Sequence, residues 1–254
     1  LLYSDINNIP FGKRKLEKDL LNKKETLKEF NFIYRDDKNK TVLIKKGNWI
    51  IDKPLIIPLY YKLDIDKGVN IILEKNGIII SNNGINMMGT KNNPIVITSQ
   101  NDGLGIFVKN SRSKSYINNV NFRNLSNPIE NALGITGAIT FYESDVEIKN
   151  SIFEDNNSED SLNIIRSKFL IKDSKFLNTR SDAIDIDFGE GKLENIMFSN
   201  IGNDAIDISG TDLIAEKIII NGAGDKGISI GEGSKFNATN ITINNAGIAI
   251  ASKD

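Results

Sequence analysis

The sequence predicts an all-β fold, a three-sided parallel β-helix, over residues 41–254. The first observation is a five-residue phrase that returns at 183–187, 205–209, 227–231 and 247–251, in steps of 22, 22 and 20 residues. The second is that short alternating apolar runs, separated by Gly, Asn, Asp and Ser, fill each step. Three short strands per step without an intervening helix are typical of a parallel β-helix, and a fixed period of this length indicates a solenoid.

The first strand of each coil contains the phrase, and its isoleucines are predicted to point inward. The predicted inward pairs are Ile139/Phe141, Leu162/Ile164, Ile184/Ile186, Ile206/Ile208, Ile228/Ile230 and Ile248/Ile250. A tight corner is predicted between the second and third strands, at Asn150, Asp173, Asn195, Lys217 and Asn240. Asn and Asp favour these corners because they tolerate the left-handed backbone that such a bend needs.

Two other repeat folds fit the sequence less well. A leucine-rich repeat needs a Leu/Asn consensus and a helix, and a β-propeller needs about 40 residues per repeat. Residues 41–254 are therefore expected to form about nine to ten coils, stacked about 4.8 Å apart. The period breaks between Gly105 and Ala138, and about ten residues within 125–136 are predicted to form an inserted loop where function could lie.

Residues 1–40 are predicted to form an N-terminal helical cap or linker. The charged stretch Lys13–Phe30 places leucines near helical spacing, which indicates an amphipathic helix covering the first coil or binding a partner. The sequence ends directly after a strand at Asp254. An open β-helix would expose an unpaired edge there, so we expect the native polypeptide to be longer.

Composition restricts the chemistry. The chain has no Cys and no His, so acid–base chemistry must use Asp, Glu, Lys, Arg or Tyr. No cofactor is required by the sequence, and any metal would be a hard cation held by oxygen ligands, with Ca²⁺ the first candidate. A net charge of -1 argues against a nucleic-acid binder, and no apolar run is long enough for a membrane span.

An acidic patch is predicted on the outward face of the repeated strand. Asp185 and Asp207 alternate with inward isoleucines and should lie on neighbouring coils about 4.8 Å apart, where they could bind Ca²⁺. The remaining members of the patch and its candidate neutralising cations are Asp182, Asp204, Asp187, Lys226 and Arg180. Like charges at this spacing either raise a pKa, bind a cation or are neutralised, so the patch is a candidate site, although a solvated Asp ladder stays possible.

The chain resembles the right-handed parallel β-helix superfamily that includes pectate lyases and polygalacturonases. Ser181–Asp185, Gly202–Ile206 and Asp225–Gly231 lie on successive predicted coils and are similar to the Asn-Thr-Asp, Gly-Asp-Asp and Gly-His-Gly-(Ile/Leu)-Ser-(Ile/Leu)-Gly motifs of polygalacturonases. In that family two carboxylates activate water and a third protonates the leaving group. The resemblance assigns water activation to Asp182 and Asp204.

Two departures from the family pattern affect catalysis. Asn203 stands where the family has its general-acid Asp, and Lys226 stands where it has His. An amide cannot donate an acidic proton, so Asp185 or Asp187 could replace the acid only with a raised pKa. A lyase or epimerase would instead use a Ca²⁺–carboxylate site with Lys226, Arg180 or Arg166 as the base.

Three functions follow from these patterns. The first is an exported or cell-surface module, in the extracellular space or the periplasm, that binds or is displayed on polysaccharide or acidic oligosaccharide. In it Asp187, Asp207, Arg180 and Arg166 contact the glycan and Tyr142 stacks on a sugar. The second is a carbohydrate-active enzyme using Asp182, Asp204, Asp185 and Lys226. The third is a structural fibre or adhesin segment.

Overall fold

The computed structural model describes residues 24–100, 103–128 and 135–253. These residues form a parallel β-solenoid of about nine turns, as the period predicts. The strands are β1 (Ile33–Asp36), β2 (Thr41–Ile44), β3 (Asn48–Ile51), β4 (Leu55–Ile56), β5 (Lys62–Ile65), β6 (Asn70–Glu74), β7 (Ile78–Ser81), β8 (Ile85–Met88), β9 (Ile95–Gln100), β10 (Gly105–Lys109), β11 (Ser115–Asn118), β12 (Val120–Arg123), β13 (Gly137–Tyr142), β14 (Val146–Lys149), β15 (Ile152–Glu154), β16 (Asp160–Ile165), β17 (Lys168–Thr179), β18 (Asp182–Asp187), β19 (Glu190–Ile201), β20 (Ile206–Ser209), β21 (Asp212–Ile230) and β22 (Lys235–Ser252).

The strands stack into three parallel ladders, here named sheets A, B and C. Sheet A contains β4, β7, β10, β13, β16, β18, β20 and the last segments of β21 and β22. Sheet B contains β2, β5, β8, β11, β14 and the first segments of β17, β19, β21 and β22. Sheet C contains β3, β6, β9, β12, β15 and the following segments of the same four long strands. The repeated phrase lies in sheet A, so its outward positions form one face of the solenoid.

The first coil is covered by β1, which pairs antiparallel with β2. A short 3-10 helix at Leu27–Glu29 precedes it, and Leu27 and Phe30 join the core. Most of the predicted amphipathic helix over 13–30 lies outside the described residues. Across the described residues, no helix has the length and apolar character that crossing a membrane requires.

The inward side chains form one continuous column of Ile, Leu, Val and Phe. Within it, Phe122, Phe153, Phe176 and Phe198 stack coil upon coil, with ring centroids 5.0, 4.4 and 5.3 Å apart. All four rings are fully buried. This stack stabilises the middle coils, because face-to-face offset aromatic pairs contribute beyond the area they bury.

The predicted corner residues have the left-handed backbone that was expected. Asn150, Asp173, Asn195, Lys217 and Asn240 have φ between 48 and 57°. Several of them are hydrogen-bonded to a neighbouring coil; the Asn195 amide, for example, donates to Asp173 Oδ1 at 2.6 Å. These corners therefore hold the coils in register through their side chains as well as through their backbone.

The last step of the repeat was predicted wrongly. Ile228 pairs with Ile250, and Lys226 pairs with Ile248, so the step is not the predicted 20 residues but 22. The register also shifts between Ala223 and Lys226, where β21 bends from sheet C into sheet A. The phrase at 247–251 resembles its predecessors in composition, but it is shifted by two residues in space.

Candidate functional site

A row of polar side chains runs along the outward face of sheet A, one per coil. The register of sheet A aligns it, and its members are Thr140, Asn163, Asp185, Asp207 and Ser229. This set is called the polar row below. Neighbouring members belong to adjacent strands, which lie about 4.8 Å apart. The sequence prediction that Asp185 and Asp207 lie side by side is confirmed.

On the coils that precede the polar row, the same face of sheet A is apolar. Ile56, Ile80 and Phe107 occupy the corresponding outward positions and belong to a second buried cluster. Ile135, near the end of the predicted insertion, packs in this cluster, and Tyr142 lies against it. The insertion therefore contacts sheet A where the face changes from apolar to polar.

Aspartates flank the polar row on both sides. Asp160 and Asp182 are paired on one side, and Asp187 lies on the other, beside Ile165 in register. Together with Asp185 and Asp207 these residues are called the acidic face. None of the five carboxylates has a Lys or Arg nitrogen within 4.0 Å among the described residues.

Burial perturbs the two innermost carboxyls most strongly. Asp160 is 2% exposed, and burial raises its pKa to about 7, with the Asp182 charge adding to the effect. Burial raises the pKa of Asp185 to about 9, reinforced by the nearby charges of Asp160 and Asp187. The Asn163 amide donates to Asp185 Oδ2 at 2.9 Å. At neutral pH the Asp185 carboxyl is therefore protonated and can itself donate a hydrogen bond.

The three remaining carboxyls of the acidic face have pKa values shifted in the same direction. Burial is the main cause at Asp182, Asp187 and Asp207, and neighbouring carboxylates add to the effect. Such a concentration of perturbed carboxyls is characteristic of functional sites, because structural ion pairs shift acidic pKa values downward instead.

Asp182 and Asp204 have a structural role that the sequence did not indicate. Each carboxylate accepts the backbone N–H one coil further on. Asp182 Oδ1 accepts from Asp204 N at 2.9 Å, and Asp204 Oδ1 accepts from Lys226 N at 2.8 Å. Asp182 Oδ1 also accepts from the Asn203 amide at 2.7 Å. These carboxylates thus link successive coils, and three of their four oxygens are occupied, since Asp204 Oδ2 also accepts from Lys226 Nζ.

Lys226 pairs with Asp204 and not with the acidic face. Its Nζ lies 3.2 Å from Asp204 Oδ2 and also contacts Asp225. Asp204 is 2% exposed, so the pair satisfies a buried charge. Lys226 is consequently poorly placed to neutralise Asp185 or to act as a free base.

The two predicted arginines lie at the margins of sheet A. Arg180 donates to Asn157 Oδ1 at 3.2 Å. Arg166 donates to Tyr142 Oη at 3.1 Å, and its guanidinium lies 5.6 Å from the ring centre of Phe188. Tyr142 and Arg166 are therefore brought together as a rim of the acidic face, whereas Arg180 lies beside a different turn.

Three residues of the site were missed by the sequence prediction. Asp160 and Asn163 are the members of the acidic face and polar row one coil before the Ile-Asp-Ile phrase, where Leu162 and Ile164 keep the inward pattern. Aligning the outward positions by the period would have found them. Phe188 is 61% exposed with φ of 55°, an uncommon combination for a bulky apolar side chain.

The metal prediction has a limited structural basis. In residues 24–100, 103–128 and 135–253, no group of three or more acidic side chains is arranged to hold a metal ion. Asp185 and Asp207 remain the predicted Ca²⁺ pair because they are adjacent in register. Two carboxylates would have to be supplemented by water or ligand oxygens, since Ca²⁺ takes six to eight oxygen ligands.

No protein-family model matches the sequence, and no curated protein matches it. Two solved structures of PfbA, a surface adhesin of Streptococcus pneumoniae, are weakly similar. The first has a TM-score of 0.26 at 12% identity, over 85% of this chain and 86% of that chain. The second has a TM-score of 0.20 at 13% identity, over 84% of this chain and 91% of that chain. Similarity at this level establishes neither a common fold nor a common function.

Proposed function

We propose that this chain is an exported or cell-surface module that binds polysaccharide along sheet A without cleaving it. The observation that carries the proposal is that Asp185 and Asp207, neighbours in the polar row, are half-buried and present carboxyls to solvent one coil apart on sheet A, with Asp187 beside them. Carboxyls on successive coils suit a ligand that extends along the solenoid, such as a polymer with a regular repeat.

The chemistry of the row supports a hydroxyl-rich ligand. Asp185 offers a protonated carboxyl at neutral pH, and Asp187 and Asp207 offer acceptor oxygens beside it, so the acidic face contains donors as well as acceptors. Sugars present both kinds of group at every ring. Tyr142 and Phe188 add aromatic surface at the rim, and a small number of oriented polar groups beside apolar surface is typical of ligand sites.

The state of the expected catalytic groups supports binding without cleavage. Asp182 and Asp204 are engaged with the backbone of the next coil, and Asn203 cannot donate an acidic proton. A hydrolase needs one carboxyl free to activate water and a second free to protonate the leaving oxygen.

A glycan array followed by calorimetry tests the proposal. The expected result is binding of one class of polysaccharide that is weakened at least about tenfold by Asp207→Ala, which removes a polar-row side chain. Asn237→Ala is the matched control, since Asn237 is an exposed polar residue on sheet B. Absence of binding to every glycan, or equal loss in both variants, would refute the proposal.

A carbohydrate-active enzyme is the second candidate, favoured by one observation. A carboxyl with a pKa raised to about 9, such as that of Asp185, has the property required of a general acid. Sugar release from any bound glycan, abolished by Asp185→Asn and retained in Asp52→Asn, would establish this candidate. Asp52 is an exposed aspartate outside sheet A.

A structural fibre or adhesin segment is the third candidate. Its support is the row of ion pairs that links coils on sheet B, including Lys172–Glu194 at 2.7 Å and Lys192–Glu216 at 2.8 Å. Surface ion pairs that form a network contribute more to stability than isolated pairs do. A chain that binds no glycan yet withstands unfolding by force along its axis would fit this candidate.

A further inference from the structure

We infer that the bound polysaccharide carries protonated amines, so that the acidic face recognises an amino sugar. The inference rests on the proposed function and names its ligand class. The first observation is the charge of the acidic face. Five carboxyls share this face, of which Asp187 and Asp207 are half-buried while Asp185 is protonated at neutral pH, and Lys226 is engaged with Asp204 and Asp225. A ligand that brings positive charge would supply what the face lacks, whereas a uronate would meet groups of its own sign.

An independent observation concerns hydrogen bonding. Asn163 is 1% exposed, and its amide nitrogen is directed to Asp185. Its own Oδ1 has no donor among the described residues, and neither does Asp160 Oδ2 beneath the same face. Buried acceptors without donors are uncommon in folded proteins and call for an explanation.

The two buried oxygens leave acceptors without donors beneath this end of the acidic face. The carboxylates that a ligand can reach from solvent, at the half-buried Asp187 and Asp207, also call for N–H or O–H groups. A primary ammonium brings three donors and no acceptor, which is the complement of carboxylate oxygens.

Phe188 supplies the second part of the recognition. It follows Asp187 directly, at a left-handed turn position where the adjacent coils have Arg166 and Gly210. An exposed aromatic ring beside a carboxylate is a favourable surface for an ammonium group, because the ring face attracts cations and its apolar body covers the aliphatic part of the ligand. The Arg166 guanidinium lies 5.6 Å from the ring centre, so this ring already makes one cation–π contact.

The experiment compares three oligosaccharides by calorimetry at about pH 6. The hexamer of β-1,4-linked glucosamine and the hexamer of N-acetylglucosamine have the same backbone and differ only in the charged amine. A hexamer of galacturonate supplies the opposite charge. We expect the glucosamine hexamer to bind at least about tenfold more tightly than the acetylated one, and the galacturonate hexamer to bind most weakly.

Variants separate the two parts of the site. Asp187→Asn should reduce the affinity for the glucosamine hexamer and leave that for the acetylated hexamer unchanged, whereas Phe188→Ala should weaken both. Asp52→Asn, on an exposed aspartate away from the face, should change neither. This pattern distinguishes direct recognition of charge from a general loss of structure.

The possible failures are distinguishable. If the acetylated or the galacturonate hexamer binds as tightly as the glucosamine hexamer, and Asp207→Ala weakens it, the amino-sugar inference is overturned and the proposed function stands. If none of the three hexamers and no glycan on the array binds, both are overturned.

Discussion

Replacing Asp185 with asparagine removes one titrating group from the acidic face and keeps the size and shape of the side chain. The Asn163 amide can still donate to the carbonyl oxygen of the new residue, as it now donates to Asp185 Oδ2. Any change in the pH dependence of stability would therefore reflect the lost ionisation and not a lost contact.

The magnitude follows from proton linkage. Burial raises the pKa of Asp185 from an ordinary 3.8 to about 9, so between these values the folded protein holds one proton more than the unfolded chain. Stability from this group is complete below about pH 4 and is lost as the pH rises through about 9. One proton corresponds to about 1.4 kcal/mol per pH unit, or about 3 kcal/mol between about pH 6 and pH 8.

Urea unfolding of the wild type and the variant at several pH values measures this difference. The wild type should lose stability steeply as the pH rises, because burial also raises the pKa values of Asp160, Asp182, Asp187 and Asp207. Asp185→Asn should show a slope smaller by about 1.4 kcal/mol per pH unit and be the more stable protein at about pH 8. Parallel pH profiles for the two proteins would show that Asp185 ionises freely and would refute the reasoning.

Three further predictions concern the scaffold. Phe176→Ala should lower the free energy of unfolding by about 3–5 kcal/mol, and by about 1 kcal/mol more than Phe122→Ala, because Phe176 loses two stacked partners and Phe122 one; equal losses in urea unfolding would contradict the stacking contribution. Lys217→Asn should raise the melting temperature, since it places the preferred residue at a φ of 55° and gains up to about 1 kcal/mol; an unchanged or lower melting temperature would count against it. Lys226→Met should cost about 3–5 kcal/mol by leaving the buried Asp204 without its partner, and a loss below about 1 kcal/mol in urea unfolding would show that the pair is dispensable.

The fold could be predicted from sequence because its determinants are local and repeated. The inward isoleucines recur with period two within a strand, and the corner residues recur once per coil. One detail could not be obtained in this way. The last copy of the phrase lies two residues earlier in its coil than the preceding copy does, so matching the copies by composition placed Ile248 opposite Ile228, where the structure has Ile250.

The position of the acidic face could be predicted from the sequence, but only some of its residues could. Asp185 and Asp207 each lie in a copy of the repeated phrase, whereas Asp160 and Asn163 lie on a coil whose sequence does not match that phrase. The burial of Asp160 depends on contacts made across the coils, among them a hydrogen bond with Thr136 at the end of the insertion. The sequence period carries no information about contacts between coils, so it does not indicate which carboxyls become buried.

The insertion has a consequence for how this scaffold could diversify. Although about ten extra residues lie between β10 and β13, Ile106 still pairs with Ile139 and the core column continues without a gap. Chain length at this corner is thus uncoupled from the register of the core column, while Ile135 and Thr136 at the end of the insertion contact the neighbouring face. A loop grafted there could alter access to the neighbouring face while leaving folding unchanged, which makes the corner a natural point for exchange of specificity, by evolution or by engineering.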